Sequence, residues 1–190
     1  MTSFPKIWFL RHGQTEWNAE RRIQGQLESR LSPLGQSHAR QQADLLRPIL
    51  TQAPDCYVSP LGRAQETAAI ALAGADFSTD PRLAEAHAGA LQGLTMKDVE
   101  NRFPEIWTAN PKHLDLFCAA PNGEGYTNFH ARILSFMQGL TGPSVVVAHG
   151  LLGQVMRGIA QGLSRQQMAE LSNQQGCIYL LEGGMERILK

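Results

Sequence analysis

Cysteine is scarce in this chain. Cys56, Cys118 and Cys177 are the three in 190 residues, and no two form a CxxC pair. Their odd number and wide spacing argue against a disulfide framework and against a cysteine-built metal knuckle. They read as reduced, mostly buried thiols, and the expected location is the cytoplasm. None stands in a basic or glycine-rich turn, the setting that activates a thiol for catalysis. Net charge is lacking too, since 17 Lys and Arg balance 17 Asp and Glu. A neutral chain has no general attraction for nucleic acid or for an anionic membrane, so affinity for an anion must come from a local cluster. No apolar run approaches the roughly 20 residues of a membrane span. The opening Met1-Thr2-Ser3-Phe4-Pro5 shows no basic segment or cleavage signal, so no targeting peptide is expected. Repeats, low-complexity tracts and linkers are absent, which leaves a single domain over 1–190 as the expectation.

What is present is an ordinary globular balance, 43% hydrophobic and 18% charged residues. Two short apolar runs each lead into His-Gly. Lys6-Ile7-Trp8-Phe9-Leu10 enters Arg11-His12-Gly13, and Ser144-Val145-Val146-Val147-Ala148 enters His149-Gly150. Both have the length and composition of buried strands. As parallel strands of one sheet they deliver both histidines to its carboxyl edge, where ligands bind in open α/β sheets.

The remaining pattern supports that sheet. Residues 14–32 read as a polar loop opening with a helical turn. Pro33 starts a helix, with Leu34, His38, Ala39, Ala43, Leu45 and Leu46 at helical spacing and Pro48 near its end. Strand 56–58 and helix 61–73 follow. Residues 80–125 are broken by Pro81, Pro104, Pro111 and Pro121 into short helices. Helix 126–140, strand 144–148, helix 151–162 and strand 177–181 come next, and Gly183-Gly184 turns the chain into a last strand, 185–189. Alternating strands and helices predict an α/β three-layer sandwich: a mostly parallel central sheet, helices on both faces, an antiparallel edge hairpin and a small helical lid at about 86–125. The exposed terminal strand is a template for pairing with another subunit; the oligomeric state stays open.

A phosphoryl-transfer site requires a nucleophile in line with the leaving oxygen, fixed positive charge and an acid. His12, held neutral with one nitrogen bonded to a backbone carbonyl, suits the nucleophile. Arg11 offers a planar fork for phosphate, and Arg63 projects from the first turn after the second strand. His149, as a cation, completes the cage.

These residues resemble those of the histidine phosphatase superfamily, the phosphoglycerate mutase-like family. The likeness is carried by Arg11-His12-Gly13-Gln14-Thr15-Glu16-Trp17-Asn18, Gln24-Gly25, Leu31-Ser32-Pro33-Leu34-Gly35, Ser59-Pro60-Leu61-Gly62-Arg63-Ala64-Gln65-Glu66-Thr67, Leu83-Ala84-Glu85 and Ala148-His149-Gly150. The resemblance implies a phosphohistidine on His12, phosphate binding by Arg11, Asn18, Gln24, Arg63, His149 and Gly150, and proton donation by Glu85. It implies no metal and no cofactor, and a small phosphomonoester as substrate.

The family contains both mutases and phosphatases. Glu85-Ala86-His87-Ala88-Gly89-Ala90-Leu91-Gln92-Gly93-Leu94 resembles the mutases more closely. Yet Ala86 and Ala88 stand where those carry arginine and tyrosine, and Met96 where they carry lysine. Between Glu85 and Glu124 the cations are Lys97, Arg102 and Lys112, with no adjacent pair. A short lid so poor in charge favours hydrolysis, because a mutase must hold a bisphosphate and keep water out. A mutase-type phosphotransferase and a non-catalytic phosphate-binding module remain the alternatives. His87 is expected either to touch the leaving group or to lie on the surface. Glu124 is expected beside the pocket, favouring a helix N-terminus. His38, His113 and His130 read as structural. Phe103, Ile106, Trp107, Leu114, Leu116 and Phe117 read as the core of the lid or as a pocket lining. Ordinary pKa values of about 6.5 for His and about 4.3 for Glu point to a mildly acidic optimum.

Overall fold

The structure, a computed structural model, describes residues 4–107 and 112–190. Pro111 and the first three residues therefore lie outside the described residues.

The strands are β1 (Ile7–Arg11), β2 (Asp55–Val58), β3 (Ser78–Thr79), β4 (Ser144–Ala148), β5 (Ile178–Glu182) and β6 (Met185–Leu189). They form one sheet in the order β3-β2-β4-β1-β5-β6. The first four in that order are parallel; β5 runs antiparallel to β1, and β6 to β5. The register pairs Ile7 with Ser144 and Arg11 with Ala148. Arg11-His12 and His149 thus leave the sheet side by side, and His12 N donates to Ala148 O at 3.0 Å.

Alternation along the strands splits the core into two layers. Trp8, Leu10, Val145, Val147 and Ile178 pack toward α2 (Pro33–Leu50) and α3 (Gly62–Ala71). Ile7, Phe9, Val146, Ala148, Tyr179 and Leu181 pack toward α6 (Gly125–Gln138) and α7 (Gly150–Gln161). This is the expected three-layer α/β arrangement. The short helices are α1 (Glu16–Ala19), α4 (Met96–Arg102), α5 (His113–Cys118) and α8 (Arg165–Glu170), with 3-10 turns at Pro81–Leu83 and Gly89–Leu91.

Helix α2 starts as its sequence dictates, with Pro33 in the first turn and Ser32 Oγ accepting from Gly35 N at 3.1 Å. Its buried stripe is Gly35, Ala39, Gln42, Leu46 and Ile49, while Leu34 is 51% exposed. Ala39 and Leu46 face inward as expected, but Gly35 takes the place expected for Leu34. The cause is close backbone contact: a Cβ at Gly35 would lie 1.9 Å from Gln14 O, and one at Gly13 would lie 2.1 Å from Gly35 O. Only glycine lets the start of α2 rest against the loop after β1.

All six apolar lid residues join the larger core layer. Phe117 also lines the main cavity.

Candidate active site

The carboxyl edge of the sheet opens into a cavity of about 440 Å³. Arg11, His12, Asn18, Gln24, Arg63, Glu85 and Gly150 all line it. His149 is fully buried beside them, its ring centroid 5.3 Å from that of His12. The structure thus brings together the residues named from the sequence for catalysis and phosphate binding.

Each turn residue has a stated anchor. His12 Nδ1 lies 2.7 Å from Gly13 O, so the neutral ring carries its proton on Nδ1 and keeps the Nε2 lone pair free. That lone pair accepts from Arg63 Nε at 3.3 Å. Gly13 N donates to Thr67 Oγ1 at 3.1 Å. Gln42 Nε2 donates to Arg11 O and Gln175 Nε2 to His12 O, each at 3.0 Å. With its backbone polar groups satisfied from α2, α3 and the segment before β5, the loop holds one conformation.

Among the described residues, the two guanidiniums have no carboxylate partner. Arg63 Nη1 and Nη2 donate to Leu27 O at 2.9 Å and Gly25 O at 2.7 Å. Arg11 Nη1 donates to Asn173 O at 2.5 Å, and its buried Nε has no partner. Burial lowers the pKa of both, with Glu85 opposing. Buried cations balanced by neutral carbonyls favour an incoming anion.

Glu85 sits at the N-terminus of α7. Its Oε1 accepts from Ala86 N and Leu152 N, and its Oε2 from Leu151 N, each at 3.0 Å. Positive helix-end charge suits a carboxylate there. Arg132 braces the same segment, donating to Glu85 O at 3.1 Å and Arg82 O at 2.6 Å.

His149 Nε2 lies 2.6 Å from Ser59 Oγ, while Nδ1 is buried without a partner. Burial, then Arg63, pushes its pKa well below 6.5. Burial, then Arg63 and Arg11, does the same to His12. The cationic His149 expected from the sequence is thus disfavoured until an anion offsets those arginines. The unfolded histidines take up protons near 6.5 and the folded ones do not, so stability is full above about 6.5 and falls with pH below it. Each histidine contributes up to about 1.4 kcal/mol per pH unit. The urea midpoint is expected to drop between pH 6.5 and 5.5, above the ordinary carboxylate range; a flat midpoint would contradict the buried neutral pair.

Two sequence expectations are corrected. Glu124 stands at the N-cap of α6, the helix-start position expected, but it does not line the cavity: its carboxylate makes no cap bond and meets Arg132 Nε at 2.5 Å and Nη2 at 2.9 Å. His113, read as structural, lines the cavity from the first turn of α5. His87 turns from the cavity toward Gly89 N at 3.2 Å and Gln92 Nε2 at 3.4 Å, so it does not reach a leaving group there. Gln24 Nε2 bonds Thr15 Oγ1 at 2.5 Å, and Asn18 Oδ1 accepts from Thr15 N at 3.2 Å, so both are partly committed to holding the loop.

Sequence reasoning missed Arg21 and Arg22, which also line the cavity. Their signal was adjacency within the 14–32 loop; the search for an adjacent cationic pair covered 85–124. It also missed the support from Arg132 and from Arg157. Arg157 is buried, binds both oxygens of Glu186 at 2.8 Å and donates to Ser172 O at 2.6 Å, next to the Asn173 carbonyl that holds Arg11. Among the described residues, no group of three or more His, Cys, Asp or Glu is placed to hold a metal ion, and no helix is long and apolar enough to cross a membrane.

The geometry agrees with comparisons to known proteins. The chain is 32% identical to phosphoglycerate mutase-like protein 4 of Arabidopsis thaliana over 155 residues, 77% of this chain and 67% of that one. It is 39% identical to the metal-independent phosphoserine phosphatase of the same plant over 112 residues, 55% of this chain and 44% of that one. It is 44% identical to the probable phosphoglycerate mutase GpmB of Enterobacter sp. (strain 638) over 90 residues, 46% of this chain and 40% of that one. The matches thus span less than half the length of the last two relatives. The fold is shared with YhfR of Bacillus stearothermophilus (TM-score 0.83, 24% identity, 97% of this chain and 95% of that one). It is shared also with the alpha-ribazole phosphatase of Shigella flexneri (TM-score 0.80, 23% identity, 97% and 95%). The model of the histidine phosphatase superfamily (branch 1) matches residues 7–188. The buried His-Arg cage therefore sits in a chain that belongs to the histidine phosphatase superfamily, a group whose relatives here include phosphatases and mutases.

Proposed function

We propose that this protein is a metal-independent phosphomonoester hydrolase working through a phosphohistidine on His12. The observation that carries this reading is the His12 ring, pinned through Nδ1 at 2.7 Å from Gly13 O with Nε2 beside the buried Arg63 guanidinium. Its Nε2 lone pair attacks phosphorus, displacing the Arg63 hydrogen bond, as the ester P–O bond breaks. Arg11 and Arg63 neutralise charge on the phosphoryl oxygens, so no metal is required for that purpose. Asn18, Gln24 and the Gly150 end of α7 supply further contacts; His149 takes a proton from solvent as the anion arrives and returns it when phosphate leaves. Glu85 gives its proton to the departing alkoxide. A water then attacks phosphorus, its proton passes to Glu85, the P–N bond breaks and phosphate leaves. The sum is ester plus water to alcohol plus phosphate.

The lid supports water as acceptor. Lys97 pairs with Glu100 at 3.3 Å, Lys112 pairs with Glu170 at 2.8 Å, and Arg102 lies over the Phe103 ring. None of these three cations lines the cavity. The mutase alternative draws on Arg21 at the cavity wall. Phosphate release from an aryl phosphate in excess chelator tests the proposal, and sustained turnover is expected. Bisphosphate-primed isomerisation faster than hydrolysis would move the assignment to a mutase, and absence of both would leave a binding module.

A further inference from the structure

The cavity wall is unevenly charged. Among the described residues it carries four arginines, Arg11, Arg21, Arg22 and Arg63, against one carboxylate, Glu85. Arg11 and Arg63 are taken by the phosphoryl group. Arg22 is committed elsewhere: it donates to Glu20 at 3.0 Å and to Gly93 O at 2.6 Å, and lies over the Trp17 ring at 5.5 Å.

Arg21 is left. It is exposed, and no carboxylate pairs with it among the described residues. Its φ is 56°, in the left-handed region. It follows Glu20, the C-cap of α1, at the position where helices usually take glycine. An arginine held there bears backbone strain without contributing an ion pair to the fold, and strain of that kind gathers where ligands bind. Ile23, Met96, Phe117 and Leu151 line the same cavity and supply apolar surface.

Resting on the hydrolytic reading, we infer that Arg21 is a specificity-determining residue that selects esters whose leaving group carries a second anionic group on an apolar body. A phosphoryl dianion offsets Arg11 and Arg63, and the second anion offsets Arg21. The chemistry shared by its possible ligands is an exposed carboxylate or phosphate oxygen, which a guanidinium binds through paired N–H donors.

The test uses phenyl phosphate and 4-carboxyphenyl phosphate with the parent, Arg21→Ala, Arg21→Glu and Arg21→Lys. Comparing variants through the ratio of kcat/KM between the esters cancels their intrinsic reactivities. That ratio is expected to fall about tenfold in Arg21→Ala, carried by KM for the carboxylated ester. It should fall further in Arg21→Glu and be largely kept in Arg21→Lys. An unchanged ratio, including an equal loss on both esters, overturns the assignment and leaves the hydrolase intact. Failure of the parent to release phosphate from either ester overturns the hydrolytic reading, and the assignment with it.

Discussion

Replacing His12 with alanine is expected to reduce phosphate release from an aryl phosphate by about 10⁴-fold or more, as removal of a covalent nucleophile does. The His12 ring presents its Nε2 lone pair to the cavity, whereas both neighbouring guanidiniums are donors only and His149 does not line it. Calorimetry should still detect inorganic phosphate binding to the variant, since Arg11 and Arg63 keep their carbonyl anchors at Asn173, Gly25 and Leu27. A labelled phosphoryl group trapped at alkaline pH should appear on the parent and not on the variant. Activity above about 1% of the parent, with phosphate binding preserved, would remove His12 from the chemistry.

Glu85→Gln should slow hydrolysis of an alkyl phosphate by about 10²- to 10³-fold, the range for a lost general acid. A dinitrophenyl ester, whose leaving group departs without a proton, should lose less than tenfold. This contrast separates two jobs that the geometry gives to one side chain. Both carboxylate oxygens accept backbone N–H bonds, from Ala86, Leu151 and Leu152. Glutamine keeps one such oxygen and turns an amide donor toward another donor, at about 1–3 kcal/mol of stability. Instability alone lowers both esters equally. Equal losses would therefore make Glu85 a clamp on α7 and not the acid.

The sheet and the cage were legible because their signals are local. A β-branched run ending in His-Gly marks both a buried strand and its functional end, and β1 and β4 pair in that sense. Gly183-Gly184 set the last hairpin in the same way. Legibility failed where packing overrides pattern. Nothing in the periodicity of α2 shows that Gly35 must face Gln14, so Leu34 was assigned inward. Short pieces such as β3 and α8 bury too little surface to leave a pattern. Glu124 is at the helix end as its sequence suggests, yet an ion pair with Arg132, about two turns along α6, decides its direction. Arg21 was legible only as half of an adjacent pair: that it has no carboxylate partner among the described residues appears only once the cavity exists.

The central position of β1 has a consequence for how the chain is made. β1 leaves the ribosome first, yet both its neighbours, β4 and β5, lie in the last third of the chain. Until β4 emerges, β1 has no strand to pair with, and β2 has only the two-residue β3. The nascent polypeptide must therefore carry an apolar Ile7-Trp8-Phe9-Leu10 segment without its native partner until residues 144–148 are made, the condition in which strands recruit wrong partners. Closure rests on strand pairs distant in sequence, so slow folding is the expected result. Early ribosomal exit of the segment that bears His12 gives no early phosphate site, because Arg63, Glu85 and His149 come together only when β4 slots between β2 and β1.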